Sequence, residues 1–152
     1  MRRAEKAIID RREQEEIIRE ALVCHVAMAD RDQPYVVAMN FGYADGCIYL
    51  HSAIVGRKLD ILRRNNRVCC AFETGLDLVR ADTACAWGMR FRSVIAFGSV
   101  TLLEDQAEKE AGLRIIMGQY GQGKFSFPPD AVAKTAVIRV EIEEMTGKKG
   151  GY

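Results

Sequence analysis

The chain has 152 residues, 49% apolar and 28% charged, with a formal net charge of +1. These are ordinary globular values and favour one domain with a real core. Near-neutral charge removes the global footprint of a nucleic-acid or anionic-membrane binder. No apolar run approaches the ~20 residues of a spanning helix, and the opening MRRAEKAIIDRREQEE is too charged for a secretory signal. The expectation is a cytoplasmic protein with neither nucleic acid nor membrane as partner.

Residues 13–21 (EQEEIIREA) predict a helix, acidic at its start, with Ile17, Ile18 and Leu22 as its apolar side. LVCHVAMA (22–29) reads as a strand, DRDQP as a turn, and YVVAMNFGYA (35–44) as the next strand. Asp45-Gly46 is the strongest hairpin signal, because that dipeptide tolerates the positive φ angles of a two-residue turn. CIYLHS (47–52) is the return strand. The period then changes. Val55, Leu59 and Leu62 stand at i, i+4 and i+7, which predicts a short helix from Gly56 to Arg64 with one buried stripe.

RVCCAFE (67–73) is another strand, which DLVRAD continues or pairs with; TACAWG reads as a loop. MRFRSVIAFGSVTLL (89–103) is a long strand with a bend or bulge at Gly98. A second helix covers residues 104–121, with Asp105 and Glu108 in a capping arrangement and Leu113, Ile116, Met117 and Tyr120 as its stripe. GQGKFSFPPD is a loop, and KTAVIRVEIEEMTGK (134–148) a final half-exposed strand. The sum is about six strands with short links, hence antiparallel pairing in a closed or nearly closed small barrel.

The stretch IYLHSAIVGRKLDIL (48–62) is the first chemical candidate. A helix start presents unpaired N–H groups and a partial positive charge. Arg57 and Lys58 in that first turn are unfavourable unless an anion is present, and Ser52 adds a hydroxyl. The stretch fits a phosphate cradle, or an ordinary corner with two solvated cations. His51 at the strand end can face a ligand, act in proton transfer, or satisfy a backbone carbonyl. His25 reads as structural. Trp87 suits a lid, an interface or a core plug. TGKK lacks the upstream glycines of a phosphate loop and reads as a solvated tail. The five cysteines lack zinc-site spacing and read as buried, reduced thiols. No metal site, nucleotide-binding GxGxxG or nucleophile elbow is present.

In their order, YVVAMNFGY, DGCIYLHSAIVGRKLDIL, NRVCCAFE, WGMRFRSVIAFGSVTLLED and AVIRVEIEEMTGK resemble the FMN-binding split-barrel flavoproteins. The branch resembled is that of the nitroimidazole-resistance (NimA-type) proteins, relatives of the pyridoxamine 5'-phosphate oxidases. The resemblance implies a mainly β (α+β) fold: a six-stranded antiparallel split β-barrel with short flanking helices, one FMN-binding domain over residues 1–152. It implies a homodimer with the flavin at the interface. Val36, Val37, Ala38, Met39 and Asn40 would line the isoalloxazine, and His51 and Ser52 would end the strand beside it. Arg57 and Lys58 would hold the FMN phosphate. Arg92 and Ser93 would approach from the partner subunit, and Trp87 would cap the flavin from the partner loop.

The implied function is an oxidoreductase passing two electrons from NADH or NADPH to a small acceptor such as a nitroaromatic (nitroimidazole) compound, with His51 as the candidate catalytic group. The chain ends soon after EEMTGKKGGY, without the C-terminal residues that hold substrate in pyridoxamine phosphate oxidases, so vitamin B6 oxidation is not the first expectation. The alternatives are a pyridoxamine 5'-phosphate oxidase-like enzyme, or a non-catalytic flavin- or haem-binding protein. Haem would take His51 or His25 as axial ligand, and related split barrels also bind deazaflavin.

Overall fold

The structure, a computed structural model, describes residues 4–151. Helix α1 (Arg11–Glu20) starts at Asp10, whose carboxylate accepts from the Arg12 N–H at 2.9 Å. Ile17 and Ile18 are buried as expected, but Leu22 lies beyond the helix and is 73% exposed. Strand β1 (Ala7–Ile8) precedes it, and β2 (Cys24–Asp30) and β3 (Gln33–Met39) follow as a hairpin turning at Arg31 and Asp32. β4 (Phe41–Ala44) and β5 (Cys47–Ala53) form the expected hairpin, with φ of 50° at Asp45 and 76° at Gly46.

Helix α2 (Arg57–Arg64) buries Leu59, Ile61 and Leu62. Val55, expected in that stripe, stands before the helix and is exposed. β6 (Arg67–Val79) runs through DLV after a register shift between Thr74 and Asp77, and pairs with β7 (Gly88–Leu103). Helix α3 (Gln106–Tyr120) is capped by Asp105, which accepts from Ala107 and Glu108. A short α4 (Pro129–Ala133) stands where sequence reading expects a loop, and β8 (Thr135–Gly150) follows.

All pairings are antiparallel, in the order β3-β2-β6-β7-β8-β5-β4, with β1 added on β8. The fold is mainly β, and the sheet does not close, because β3 and β4 are its two edges: it is a split barrel. Eight strands appear where six are expected. The run 35–44 breaks at Asn40 into β3 and β4, and β1 is too short for a periodicity signal. TGKK is not a solvated tail. It lies within β8, where Gly147 faces Ile8 and Lys148 faces Ala7, and Lys149 reaches Glu13 at 3.6 Å. The expected irregularity at Gly98 is present as a register shift between β7 and β8, with Glu143 as the extra residue on β8.

The core fills the barrel with alternate residues of the strands, capped by α1 and α2. Phe41 and Phe72, both fully buried, meet edge-on with ring centroids 5.0 Å apart. The stripe of α3 is rotated from its expected place: Lys109, Gly112 and Ile116 are buried, while Met117 and Tyr120 are more than a third exposed. Close approach of backbones explains the rotation. A Cβ at Gly42 of β4 would stand 2.5 Å from the backbone of Ile115, so α3 rests on a strand stripped of its side chain there. Gln119 and Tyr120 then tie the end of α3 to the chain before β2. The Gln119 amide donates to the carbonyls of Arg19 and Ala21 at 2.8 and 3.0 Å, and the Tyr120 hydroxyl donates to Leu22 O at 3.0 Å.

The cysteines are all free, but only Cys24 and Cys70 are buried; Cys47 and Cys69 are half-buried and Cys85 is exposed. A hydrogen bond with Cys70, and burial after it, push the Cys24 thiol well above its ordinary range. In the native protein at pH 8 a thiol-specific reagent labels Cys85 first and Cys24 only on unfolding, as peptide mapping after a timed pulse checks. Gly42→Ala drives a methyl into the Ile115 backbone and lowers unfolding stability by about 1–3 kcal/mol, the usual range for overpacking; denaturant melts read it, and an unchanged midpoint would refute the close approach.

Candidate functional site

The split in the barrel is a groove. Its volume is about 750 Å³, inside the roughly 300–1,000 Å³ common for small-molecule and cofactor sites. One bank is the end of β3 with Val37, Ala38, Met39, and Asn40 beyond it, together with Tyr35 and with Val23 before β2. The other is the end of β5, with His51, Ser52 and Ala53, and the start of β8 at Thr135. Lys58 of α2 and Lys134 before β8 complete it.

β3 pairs only with β2, so its outer N–H and C=O groups are unused by the sheet. Tyr35, Val37 and Met39 lean on the core, while Val36 is turned outward, 60% exposed, and does not line the groove. β5 runs antiparallel to β8 with His51 opposite Val137 and Ala53 opposite Thr135, which brings the Thr135 end of β8 to the groove. The Ser52 hydroxyl donates to its neighbour, Ala53 O, at 2.8 Å, which leaves its oxygen as an acceptor. His51 is exposed in the groove.

At Gly56 the backbone takes φ 132°, a value side-chain-bearing residues avoid, and α2 begins with no side-chain cap. Its first N–H groups are therefore left for water or a ligand. The Arg57 guanidinium lies over the Tyr35 ring, 4.7 Å from its centroid, and is not part of the lining. Lys58 is. The groove thus holds two lysines, one histidine and no carboxylate.

The family model for pyridoxamine 5'-phosphate oxidase matches residues 10–149. The chain belongs to the pyridoxamine 5'-phosphate oxidase family. Among solved structures it is similar to a protein from Bacteroides thetaiotaomicron VPI-5482 provisionally assigned to 5-nitroimidazole antibiotic resistance. That match has 41% identity and a TM-score of 0.85, and covers 94% of this chain and 86% of that one. The flavocytochrome Anf3 from Azotobacter vinelandii shares the fold at 24% identity, TM-score 0.85, over 97% of this chain and 71% of that one. An FAD- and heme-binding protein from Mycobacterium smegmatis does so at 16% identity, TM-score 0.86, over 97% and 74%. No curated protein matches the chain.

A family cofactor of flavin type fits what the groove offers. The apolar side chains of Val23, Tyr35, Val37 and Met39 suit a planar ring system. The free backbone edge of β3 suits the polar rim of such a ring, and the lysines suit an anionic tail. Of the residues expected at the cofactor, Val37, Ala38, Met39, Asn40, His51, Ser52 and Lys58 meet in this groove. Val36, Arg57, Trp87, Arg92 and Ser93 do not line it. Arg92 pairs with Glu20, and the Ser93 hydroxyl donates to Lys148 O at 3.4 Å. Trp87 sits between β6 and β7 with its indole N–H donating to Ala81 O at 2.7 Å and its ring 48% exposed. Sequence reading misses Val23, Tyr35, Ala53, Lys134 and Thr135. The last two follow a stretch that reads as a loop, and only the β5–β8 pairing brings them to the groove.

Proposed function

We propose that the protein is an FMN-dependent oxidoreductase of the cytoplasm that reduces small nitroaromatic compounds with electrons from NADH or NADPH, working as a homodimer. The observation that carries this reading is the groove itself. It has a free strand edge along one bank and two lysines with no carboxylate in its lining, in a chain 41% identical to the Bacteroides protein. Bound flavin would supply a two-electron relay between a reduced nicotinamide and a nitro group, whose reduction to a nitroso group and water takes two electrons and two protons, one arriving with the hydride and one from solvent by way of a proton donor. The chain's own part is binding and orientation. The β3 backbone from Val37 to Met39 fixes the ring edge, Asn40 and Ser52 add polar contacts, and Lys58 with the open start of α2 draws the phosphate. A ring nitrogen of His51 hands that second proton to the acceptor oxygen. Five unpaired cysteines agree with a reducing compartment.

The dimer reading rests on the outer face. Val36, Ala27, Cys69 and Phe97 form a cross-strand row from β3 to β7, and Ala71 and Ile95 stand beside it. Val36, Phe97 and Ile95 are each at least 42% exposed. A contiguous apolar face of this kind marks an interface, and a two-fold dimer would cover the same patch on both copies.

Purified protein is expected to be yellow with a two-band flavin spectrum, bleached anaerobically by NADH or NADPH and restored by a nitroimidazole. A Soret band in place of the flavin bands would overturn the cofactor. Lys58→Ala weakens FMN binding by about 1.5–3 kcal/mol, the range for a charge-assisted hydrogen bond; an unchanged titration would remove Lys58 from the phosphate. Light scattering is expected to give twice the 17.0 kDa chain mass, and Phe97→Glu to give the monomer. A monomeric parent with flavin bound would refute the interface.

A further inference from the structure

Two lysines reach the groove. Lys58 stands in the first turn of α2, and Lys134 stands one residue before β8. Among the described residues neither takes part in an ion pair, and no Asp or Glu belongs to the lining. Several other surface cations find acids: Arg64 has Asp30, Arg67 has Glu143 and Lys149 has Glu13.

The position of Lys134 is set by its backbone. Its N–H donates to Asp130 O at 3.3 Å, at the end of α4. The next residue, Thr135, donates its hydroxyl to Ala131 O at 2.8 Å and pairs with Ala53 across the ladder. β8 therefore enters the sheet where β5 leaves it for α2, and the lysine preceding β8 faces the same groove as the lysine that follows β5. Arg57, the other cation of the helix start, is stacked on Tyr35 and is absent from the lining.

We propose that the anionic end of the flavin is held between Lys58 and Lys134, with Lys134 as a second phosphate anchor that makes the groove select phosphorylated flavins over riboflavin. The inference rests on the flavin reading above. A phosphate monoester carries about −1.5 to −2 charge at pH 7, which two ammonium groups neutralise and one does not. Like charges lining one groove without acids repel, and an anion bound between them removes that repulsion.

The test is a fluorescence titration of the full chain, freed of flavin, with riboflavin, FMN and FAD. In Lys134→Ala the Kd for FMN rises about tenfold or more, as for a lost charge-assisted contact, while the Kd for riboflavin stays within about twofold. Lys134→Arg keeps most of the FMN affinity, and Arg57→Ala costs less than Lys134→Ala. Tighter binding of FAD than FMN, with the same sensitivity to Lys134, supports the clamp and makes a diphosphate its anion. Equal losses for riboflavin and FMN, or none for either, overturn the proposal and leave the flavin reading standing. A parent protein that binds none of the three flavins fails the flavin reading itself. Circular dichroism of each variant separates loss of binding from loss of fold.

Discussion

One covalent constraint organises this molecule: β3 and β4 are opposite edges of a single sheet, yet only Asn40 lies between them in the chain. The sheet must therefore curl until its edges meet, and it does so without a ladder between them. Edges left unpaired and bare are costly and adhesive. The chain meets part of that cost with side chains from α3. The N–H of Phe41, the first residue of β4, donates to the Tyr120 hydroxyl at 2.9 Å, and the same hydroxyl donates to Leu22 O. Tyr120 thus ties β4 to the approach of β2 through one oxygen atom, and Gln119 doubles the tie. The split beside this tie, along Tyr35 to Asn40, is left uncovered, and it is there that the groove lies.

The electrostatics follow from the same opening. α2 starts with no side-chain cap, and its two leading residues, Arg57 and Lys58, oppose the helix dipole, with Asp60 following as the one acid of the first turn. α1 and α3 show the ordinary solution, with Asp10 and Asp105 accepting from first-turn N–H groups. α2 has Gly56 instead, and its neighbour Arg57 is turned onto the Tyr35 ring. On the flavin reading, such an arrangement would give up a little stability for a site where an anion finds donors already placed. Gly56 belongs to that cost: nothing within 4 Å would meet a side chain there, so the requirement for glycine comes from the backbone angle and not from crowding.

Features fixed by near neighbours in sequence were legible. Asp45-Gly46, the Asp105 cap, the Leu59 and Leu62 stripe of α2 without Val55, and the irregularity at Gly98 depend on a few adjacent residues or on one period. The seven expected residues that line the groove lie in two local segments, 36–40 and 51–58, and the roles expected of them rest on family resemblance and not on periodicity. What escaped notice depends on distant pairing. Asn40 breaks a run that alternates well enough to be one strand, because the sheet's closure, not the local pattern, requires the turn. TGKK looks like a tail until β1 and β7 flank it. Lys134 has no motif around it, and only its place one step before the Ala53–Thr135 pair brings it to the groove. The stripe of α3 was misplaced because glycine pulls the helix onto β4, and a reading that counts large apolar residues looks away from glycine.

The alternation of β3 joins the two halves of the functional reading. Tyr35, Val37 and Met39 face the barrel and wall the groove, whereas Val36 faces out onto the apolar row with Ala27, Cys69 and Phe97. Successive residues of one strand point to opposite faces, so a one-residue slip of β3 against β2 would exchange the two sets. The register of a seven-residue hairpin strand therefore sets both surfaces together. In the proposed dimer a partner covering Val36 would hold β3 flat against β2 and stiffen the free backbone edge one residue away. Cofactor and partner would then each favour the same placement of β3. That is positive coupling through a shared rigid element, and it requires no movement of the rest of the barrel.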